Sequence, residues 1–301
     1  MNCFHGLSAF PVTPADDDGR VDIAHLQRLI DRLVAANVSS IGALGSTGSY
    51  MYLSSEERAH ALKAAVEAAG TLPVIAGIGA MRTSWVVRHA RDAEAAGAAG
   101  LLIAPVSYLP LTDDDVLSLV RDVAGTTDLP ICIYNNPGTT HFNVSEDLLL
   151  ALAEIPTVKA VKNPAPAGGD FLGQLDRLRE KLPTDFSIGY SGDATIAGAL
   201  LAGADAWYSV LAGTLPDIAM QLWDAREDPA KMHALNEQLT PLWDLFAAHG
   251  GIRVIHEAAE IIGLGPTPLP RPLLPLPAHA RAALCEQIES LNPSLMGMKC
   301  L

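Results

Sequence analysis

The sequence predicts an α/β fold, a (β/α)8 TIM barrel with a C-terminal helical appendage. A short apolar run followed by a longer segment with helical spacing recurs about every 30 residues. The apolar runs are rich in β-branched residues and several lack polar alternation, which is typical of parallel strands buried on both faces. Eight such runs follow one another without a break, at residues 7–12, 38–44, 73–76, 101–104, 130–134, 158–162, 186–189 and 206–210.

Helix start signals separate the predicted strands. Ser54 and Glu57 form a capping-box pattern before residues 58–69. Other polar residues suited to cap a helix are Asp22 before 23–36, Thr83 before 85–96, Thr112 before 113–124 and Ser145 before 146–154. An open doubly wound sheet is the alternative, but eight regular units favour a closed barrel.

The alternation of strands and helices stops after about residue 228. Residues 229–249, 252–262 and 278–291 have helical spacing without intervening strands, and a proline-rich stretch, 266–277, separates the last two. We therefore predict a barrel domain at residues 1–226 and a C-terminal helical region of about three helices at residues 227–301. Residues 296–301 are predicted to form a loosely ordered tail.

Composition limits the classes of partner. The 301 residues are 49% hydrophobic and 18% charged, which suits a globular chain with a large core. A formal net charge of −14 argues against nucleic acid and anionic membranes as partners. The sequence contains neither a signal-peptide pattern nor an apolar run of roughly 18 residues that could span a membrane. Scattered cysteines predict reduced thiols and a cytoplasmic location; they are Cys3, Cys132, Cys285 and Cys300.

Two lysines interrupt the apolar run of the sixth predicted strand, which reads T-V-K-A-V-K-N-P. Lys159 and Lys162 are three positions apart, so they point to opposite faces of a strand. We expect Lys159 to lie in solvent and Lys162, at the C-terminal end, to face the barrel interior. Desolvation lowers the pKa of an amine, which makes Lys162 a candidate nucleophile for a carbonyl carbon. A strand-end lysine whose amine reaches water is the alternative.

Further candidate groups follow other strands, at the end of a barrel where active sites lie. The turn G-S-T-G-S, residues 45–49, has exposed N–H groups suited to a carboxylate. Tyr134 ends the fifth strand, and its phenol is a candidate proton donor and acceptor, with simple packing as the alternative. Asp193, after the seventh strand, is interpreted as a helix cap.

Motifs for metals and nucleotides are not found in the sequence. His256-Glu257-x-x-Glu260 lacks the second histidine of a zinc motif and falls in the predicted appendage, away from the barrel mouth. The glycines at positions 42, 45 and 48 have the wrong spacing for a dinucleotide fingerprint. We therefore predict neither a metal nor an organic cofactor.

The sequence resembles the dihydrodipicolinate synthase and N-acetylneuraminate lyase family over its whole length. The matching motifs are G-S-T-G after strand two, Y-N-x-P after strand five, V-K at the end of strand six and the opening F-P-V-T-P. The resemblance implies a lyase or aldolase in which Lys162 forms a Schiff base with pyruvate or another 2-oxo acid while Tyr134 moves protons. The substrate-binding residues that it implies are Ser46, Thr47, Gly48 and Tyr208, the last through its backbone.

Some positions depart from the synthase pattern and bear on specificity. The glutamate that follows the turn motif in the family is Ser49 here, and the arginine two residues after the proline of Y-N-x-P is Thr139. The tyrosine that crosses a dimer interface in synthases is replaced by Ser107, with Tyr108 one position on. The turn G-S-T-G itself is similar to the neuraminate-lyase version. We therefore expect a 2-keto-3-deoxy-acid-type substrate, with pyruvate and an aldehyde or sugar acid as the reacting partners.

Alternatives remain open at this point. One is the synthase that condenses pyruvate with aspartate semialdehyde (4-hydroxy-tetrahydrodipicolinate synthase), and another is a sugar-acid dehydratase that uses the same imine. A third is a non-catalytic 2-oxo-acid-binding protein, against which the pair Lys162 and Tyr134 argues, since a sensor needs no nucleophile. The resemblance further implies a homo-oligomer, either a dimer or a tetramer.

Overall fold

Eight parallel strands close into a barrel in the computed structural model, which describes residues 2–291. Every strand pairs with its neighbours in the sequence, and the first strand also pairs with the eighth. The predicted (β/α)8 barrel is confirmed. Its strands are β1 Gly6–Ala9, β2 Ser40–Ala43, β3 Val74–Gly77, β4 Gly100–Ile103, β5 Ile131–Tyr134, β6 Val158–Asn163, β7 Ser187–Tyr190 and β8 Ala206–Ser209.

At least one helix follows each strand. The barrel helices are α1 Ile23–Ala35, α2 Ser55–Ala69, α3 Thr83–Ala96, α4 Asp113–Ala124, α5 Pro137–Thr140, α6 Glu146–Ala153, α7 Phe171–Lys181, α8 Ile196–Leu201 and α9 Pro216–Asp224. The C-terminal helices are α10 Pro229–Gln238, α11 Thr240–His249, α12 Gly251–Ile261 and α13 Ala278–Leu291. Short 3₁₀ helices precede or follow several of them, at Tyr50–Tyr52, Ala167–Gly169, Asp193–Thr195 and Leu211–Gly213.

The helix caps agree with the sequence at most positions. Thr112 and Asp115 make a complete capping box at the start of α4. Ser54 accepts a hydrogen bond from the backbone N–H of Glu57 at 3.1 Å, but the Glu57 carboxylate accepts from the backbone N–H of Val21 instead of closing the box. The prediction for Thr83 is wrong, because this residue is the first of α3 and not its cap.

The predicted helix of residues 229–249 is two helices, so the appendage has four helices and not three within its described residues, which end at 291. The break falls at Leu239, where the chain leaves α10 and begins α11. Pro241 lies in the first turn of α11, a place where a residue without an N–H is tolerated, whereas inside a continuous helix it would remove a hydrogen bond. The helical spacing therefore predicts the helical content of this segment, and the proline determines where the helix is interrupted.

The C-terminal helices share apolar contacts with the barrel. Val12, just after β1, Leu29 of α1 and Ile255 of α12 form a separate buried cluster, and each is at most 2% exposed. This contact fixes α12 beside the C-terminal ends of the strands. The boundary between residues 226 and 227 stays a prediction. The tail at residues 296–301 lies outside the described residues.

The cysteines are only partly as predicted. Cys3 and Cys132 are free and buried. Cys285, in α13, is disulfide-bonded, so the prediction of a reduced thiol is wrong there; spacing along the chain carries no information about which sulfurs meet in space. Among the described helices, none is long and apolar enough to cross a membrane. The cytoplasmic location stays a prediction.

Candidate active site

The register of two neighbouring strands brings Tyr134 and Lys162 side by side. Tyr134, the last residue of β5, is paired directly with Lys162, the penultimate residue of β6. Residues two apart on a strand share a face, and Ala160 lies in the apolar cluster that fills the barrel, so Lys162 also points inward. The C-terminal end of the barrel therefore holds an amine and a phenol on adjacent strands.

Lys162 lies among aromatic rings and is only 3% exposed. Its Nζ is 3.9 Å from the ring centroid of Phe10, 4.0 Å from that of Tyr134 and 5.7 Å from that of Tyr208. Burial lowers the pKa of Lys162 to about 7, although the nearby Cys132 and Asp193 act in the opposite direction. A large fraction of this amine is thus unprotonated near neutral pH, which is the form that attacks a carbonyl carbon.

Tyr134 is also buried, and its phenol has two polar neighbours. The hydroxyl accepts a hydrogen bond from Nδ2 of Asn136 at 3.0 Å. Burial raises the pKa of Tyr134 to about 12, and an interaction with the Ser46 side chain partly offsets this. The phenol is therefore protonated at neutral pH and can donate its proton.

The turn at residues 45–49 has a constrained backbone. Leu44 and Ser49 both adopt left-handed conformations, with φ of 57° and 54°, which cost energy for residues other than glycine and often mark functional sites. A Cβ at Gly45 would lie 2.6 Å from the ring of Phe10, so only glycine lets this ring approach. Within the turn, the N–H of Ser49 donates to the carbonyl of Ser46 at 3.1 Å.

The N–H groups of residues 46 to 48 make no hydrogen bond to any described residue. Thr47 is 4% exposed and Ser46 is partly exposed, so the turn offers unpaired backbone donors and two hydroxyls at the edge of the mouth. Unpaired backbone N–H groups in a tight turn can bind oxyanions. The geometry therefore suits the carboxylate of a small acid.

Tyr208 and Cys132 lie below Lys162 in the barrel interior. The side chain of Tyr208 is completely buried, and the Sγ of Cys132 lies 3.5 Å from its hydroxyl oxygen. Burial raises the pKa of both groups, that of Cys132 to about 12. The phenol and the thiol therefore both stay neutral, and they surround the Lys162 amine with uncharged groups on the inner side of the barrel.

Asp193 does more than the predicted helix cap. It begins the 3₁₀ helix Asp193–Thr195, but its carboxylate accepts hydrogen bonds from Nε1 of Trp207 at 2.7 Å and from the N–H groups of Val210 and Leu211 at 3.1 and 3.0 Å. It thus caps the 3₁₀ helix that follows β8. Burial raises the pKa of Asp193, while hydrogen bonding from Leu211, Trp207 and Ser209 and the charge of Lys162 act to lower it.

The four predicted specificity residues lie in different environments. Ser49 is 6% exposed, and its Oγ has no hydrogen-bond partner among the described residues. Ser107 is half-buried and accepts from the N–H of Leu109, whereas Tyr108 is 88% exposed. Thr139 is exposed in α5, where its hydroxyl donates to the carbonyl of Asn136. Of these four residues, therefore, only Ser49 is fully buried within a single chain.

His256 contradicts its predicted place away from the barrel mouth. It is 3% exposed, its Nδ1 lies 2.7 Å from the carbonyl oxygen of Thr267, and the Thr47 backbone, in the turn after β2, acts to raise its pKa against the stronger lowering by burial. The sequence did not indicate this proximity, because α12 and the turn are about 200 positions apart and only the closed barrel brings them together. No group of three or more His, Cys, Asp or Glu among residues 2–291 is placed to hold a metal ion.

Phe10 and Asn136 contact the two central side chains, and no motif in the sequence indicated them as site residues. Phe10 lies just after β1, and its position two residues after the inward-facing Ser8 was the available signal. Asn136 follows Tyr134 by two positions in the quoted motif Y-N-x-P. The positions of Phe10 and Asn136 along the chain were thus visible in the sequence. Neither position indicated that the side chain contacts Lys162 or Tyr134.

A partly unprotonated amine beside a buried phenol, at the C-terminal mouth of a parallel barrel, defines a barrel enzyme of the lyase class with aldolase-type activity. A family model described as "Dihydrodipicolinate synthetase family" matches residues 3–291. The chain belongs to this family.

Several relatives and solved structures are similar along most of the chain. A 4-hydroxy-tetrahydrodipicolinate synthase of Azoarcus sp. (strain BH72) is 35% identical over 272 residues, which cover 88% of this chain and 90% of that protein. The same enzyme of Nitrosospira multiformis is 35% identical over 94% of both chains. A crystal structure of dihydrodipicolinate synthase from Agrobacterium tumefaciens is 52% identical with a TM-score of 0.94, covering 96% of this chain and 99% of that one.

These similarities confirm the predicted family and the predicted lyase. The relatives are named as enzymes, so the alternative of a non-catalytic binding protein is not supported. The more general part of the functional prediction, aldolase-type chemistry, holds for this chain.

Proposed function

We propose that this enzyme forms a Schiff base between Lys162 and C2 of pyruvate or another 2-oxo acid, and then makes or breaks the adjacent carbon–carbon bond. The observation that supports this best is the burial of the Lys162 amine among aromatic rings, which lowers its pKa to about 7. An unshifted lysine would be almost wholly protonated at neutral pH and would not attack a ketone.

The reaction then follows from the neighbouring groups. The amine adds to C2 and forms a carbinolamine. The hydroxyl group of this intermediate takes up a proton and leaves as water, and the product is an iminium cation that withdraws electrons from C3. Loss of a proton or of an aldehyde from C3 gives an enamine, and the reverse step adds the aldehyde. Tyr134 donates and accepts the protons, and Ser46 exchanges protons with it.

The surroundings of Lys162 favour the charged intermediate once it forms. Aromatic ring faces attract cations, and three rings lie within 3.9 to 5.7 Å of Nζ. The Asp193 carboxylate adds a negative charge that acts on the same nitrogen. The free amine and the iminium are thus both accommodated, since desolvation favours the first and these groups favour the second.

The carboxylate of the 2-oxo acid is assigned to the turn after β2. Ser46, Thr47 and Gly48 supply two hydroxyls and unpaired N–H groups there, and the backbone of Tyr208 on β8 faces the remainder of the pyruvyl group.

For the second substrate we propose a hydroxylated 2-keto-3-deoxy acid, which is cleaved to pyruvate and an aldehyde or formed from them. Ser49, Ser107 and Thr139 place hydroxyl groups, and Tyr108 a phenol, at positions that bear on specificity. Thr139 offers no positive charge to a second carboxylate, whereas hydroxyl groups suit a sugar-derived chain.

The synthase reaction is the second candidate, because the curated relatives carry that name. Two assays distinguish these candidates. One measures the condensation of pyruvate with aspartate semialdehyde, and the other measures the cleavage of 2-keto-3-deoxy sugar acids. A catalytic efficiency with aspartate semialdehyde equal to or above that with the sugar acids would overturn our choice of substrate. Loss of water from a sugar acid without release of pyruvate would instead identify a dehydratase.

The imine itself is tested by reduction. Pyruvate plus borohydride should add one pyruvate-derived mass to the protein, and peptide mapping should place it on Lys162. An unmodified protein, or an adduct on another lysine, would exclude the proposed mechanism.

We also propose that the enzyme is a homo-oligomer. Trp85 at the start of α3, and Tyr108 and Leu109 after β4, are 49%, 88% and 69% exposed, although large apolar side chains are usually buried. They follow neighbouring strands, so they lie on one side of the barrel. Sedimentation analysis should give a dimer or tetramer, and a monomer at micromolar concentration would contradict this proposal.

A further inference from the structure

Asn136 lies in the loop after β5 and contacts the phenol of Tyr134. Its Nδ2 donates to the hydroxyl oxygen of Tyr134 at 3.0 Å, and this is the only hydrogen bond that the Asn136 side chain makes to a described residue. Asn136 is partly exposed, whereas Tyr134 is 8% exposed. The amide therefore reaches the buried phenol from the side of the loop.

The backbone of Asn136 is held in place by the short helix that follows it. Asn136 precedes Pro137, the first residue of α5, and its carbonyl accepts from the N–H groups of Thr139 and Thr140 at 3.0 Å each. The hydroxyl of Thr140 donates to the same carbonyl at 3.0 Å. A side chain on a fixed backbone loses little further freedom when it makes a contact, so the amide is positioned before a substrate binds.

The other end of this loop is held by Asn135. Its Oδ1 accepts from the N–H of Val144 at 3.0 Å, and its Nδ2 donates to the carbonyl of Val144 at 3.3 Å and to Oδ1 of Asn163 at 3.4 Å. Asn163 is the residue after Lys162 in β6. The loop that carries the amide is thus tied to both strands that carry the proposed catalytic side chains.

The hydrogen bond from Asn136 determines which way the phenol proton points. An amide nitrogen can only donate, so the phenol oxygen is the acceptor in this pair. The proton of Tyr134 is therefore turned away from Asn136. The Lys162 amine lies on another side of Tyr134, 4.0 Å from the centroid of its ring. The proton is thus available to the barrel mouth and not to the loop.

We propose that Asn136 is a positioning residue that directs the proton of Tyr134 toward the bound 2-oxo acid and stabilises the phenolate that remains after its transfer. The phenol proton passes to the hydroxyl group of the carbinolamine on Lys162, which leaves as water. The phenolate then takes a proton from C3 of the iminium, and the products are the enamine and the original phenol. This inference rests on the role proposed above for Tyr134.

The amide has its largest effect when Tyr134 is charged. Burial raises the pKa of Tyr134 to about 12, because a phenolate loses its hydration in this site. A hydrogen bond to a charged acceptor is roughly twice as strong as one to a neutral acceptor, so the amide stabilises the phenolate more than the phenol. We expect this difference to raise the rate of proton transfer about tenfold.

Exchange of the pyruvate methyl protons with deuterium tests this role without the second substrate. Each exchange needs the imine and then the transfer of a proton from C3, and NMR in D₂O measures its rate. Asn136→Leu keeps a branched side chain that cannot donate, and Asn136→Asp has the shape of asparagine but only accepts when it is ionised. Asn143→Leu is the control, because Asn143 is exposed in the same loop and its one hydrogen bond to a described residue is with Asn135.

The expected results apply at about pH 9, where Lys162, with its pKa of about 7, is unprotonated. Asn136→Leu should lower the limiting exchange rate about tenfold, while the pyruvate concentration for half-saturation stays within about threefold. Asn136→Asp should lower the limiting rate further, because its carboxylate draws the phenol proton toward the loop. Asn143→Leu should stay within about twofold of the wild type.

The same substitutions in a Tyr134→Phe background separate an effect on the phenol from an effect on the loop. Tyr134→Phe has no hydroxyl for the amide to hold, so adding Asn136→Leu should change its exchange rate by less than about twofold. A further tenfold loss would mean that Asn136 acts through the loop, and this would overturn the inference. If exchange by Tyr134→Phe is too slow to measure, the comparison of Asn136→Leu with Asn136→Asp decides.

Two other results would also overturn the inference: a wild-type limiting rate in Asn136→Leu, or a rate in Asn136→Asp that equals or exceeds that of Asn136→Leu. Thermal unfolding identifies a variant that does not fold, and if Asn136→Leu fails, the loss caused by Asn136→Asp in the two backgrounds decides. If borohydride traps no pyruvate on Lys162 of the wild type, the proposed function fails. If the adduct forms but Asn136→Leu exchanges at the wild-type rate, only the role of Asn136 fails.

Discussion

The two lysines of β6 lie three residues apart and have opposite environments. The Nζ of Lys159 is 3.2 Å from the Asp185 carboxylate, and the side chains of this pair are 40% and 68% exposed. Lys162, on the other face and toward the C-terminal end, is 3% exposed among aromatic rings. The same residue type on one strand is thus a solvated surface charge at one end and a desolvated amine at the other. Position relative to the barrel axis determines which chemistry is possible.

The largest expected difference between the two lysines is in turnover. Lys162→Ala should lower kcat by roughly 10⁴-fold or more, because no other group replaces a covalent nucleophile. Lys159→Ala removes only an exposed ion pair and should leave kcat within about twofold. Steady-state kinetics and borohydride trapping of both variants check this. Comparable losses of kcat in the two variants would show that β6 has a structural role and that the two lysines do not differ in function.

The next expected difference between the two lysines is in the free energy of unfolding. Here the replacement of Lys162 should be favourable, whereas it is harmful to turnover. The folded-state pKa of Lys162 is about 7, below the ordinary value of 10.5, so the folded protein binds fewer protons than the unfolded chain. The resulting destabilisation is complete below pH 7 and disappears as the pH rises toward 10.5. Lys162→Met should therefore raise the free energy of unfolding by roughly 3–5 kcal/mol at pH 7, and by much less at pH 10.

Urea unfolding at the two pH values measures this effect, and Lys159→Met is the matched control. An exposed pair contributes only about 0–1 kcal/mol, so the control should change little at either pH. A destabilised Lys162→Met would show that the amine is charged and paired in the folded protein.

A smaller effect is expected from the phenol beside Lys162. Tyr134→Phe keeps the ring that packs on Nζ but removes the proton donor, and should lower kcat by about 10²–10³-fold. The pyruvate adduct should still form on Lys162, more slowly. Tyr52→Phe, which alters a phenol that is 46% exposed, serves as the control. An unchanged kcat in Tyr134→Phe would limit Tyr134 to packing, the alternative that its sequence position left open.

The smallest effect is a gradual dependence on pH. Only the unprotonated amine reacts, so kcat/KM should fall about tenfold for each pH unit below the pKa of Lys162, which lies at about 7. A midpoint near 10, as for a lysine in water, would show that the amine is not desolvated before the substrate binds. The pH profile of kcat/KM measures this directly.

The sequence by itself determined the barrel, its eight strands and the inward direction of Lys162. These features depend on local periodicity: a recurring strand and helix pattern implies closure, and alternation along a strand assigns Lys159 and Lys162 to opposite faces. It also placed Tyr134 on the neighbouring strand, since consecutive strands of a barrel are adjacent. The roles of these residues and of the turn after β2 remain proposals.

Only the tertiary structure decided which residues surround the amine and the turn. Phe10 and Tyr208 reach Lys162 because closure brings β1 and β8 together, and Ile255 reaches Val12 because α12 packs against the barrel. Such contacts join segments that are distant in the sequence, and their geometry depends on packing that no local pattern records. The physical reason is that strand direction is a property of a few consecutive residues, whereas desolvation and hydrogen-bond partners are properties of the closed fold.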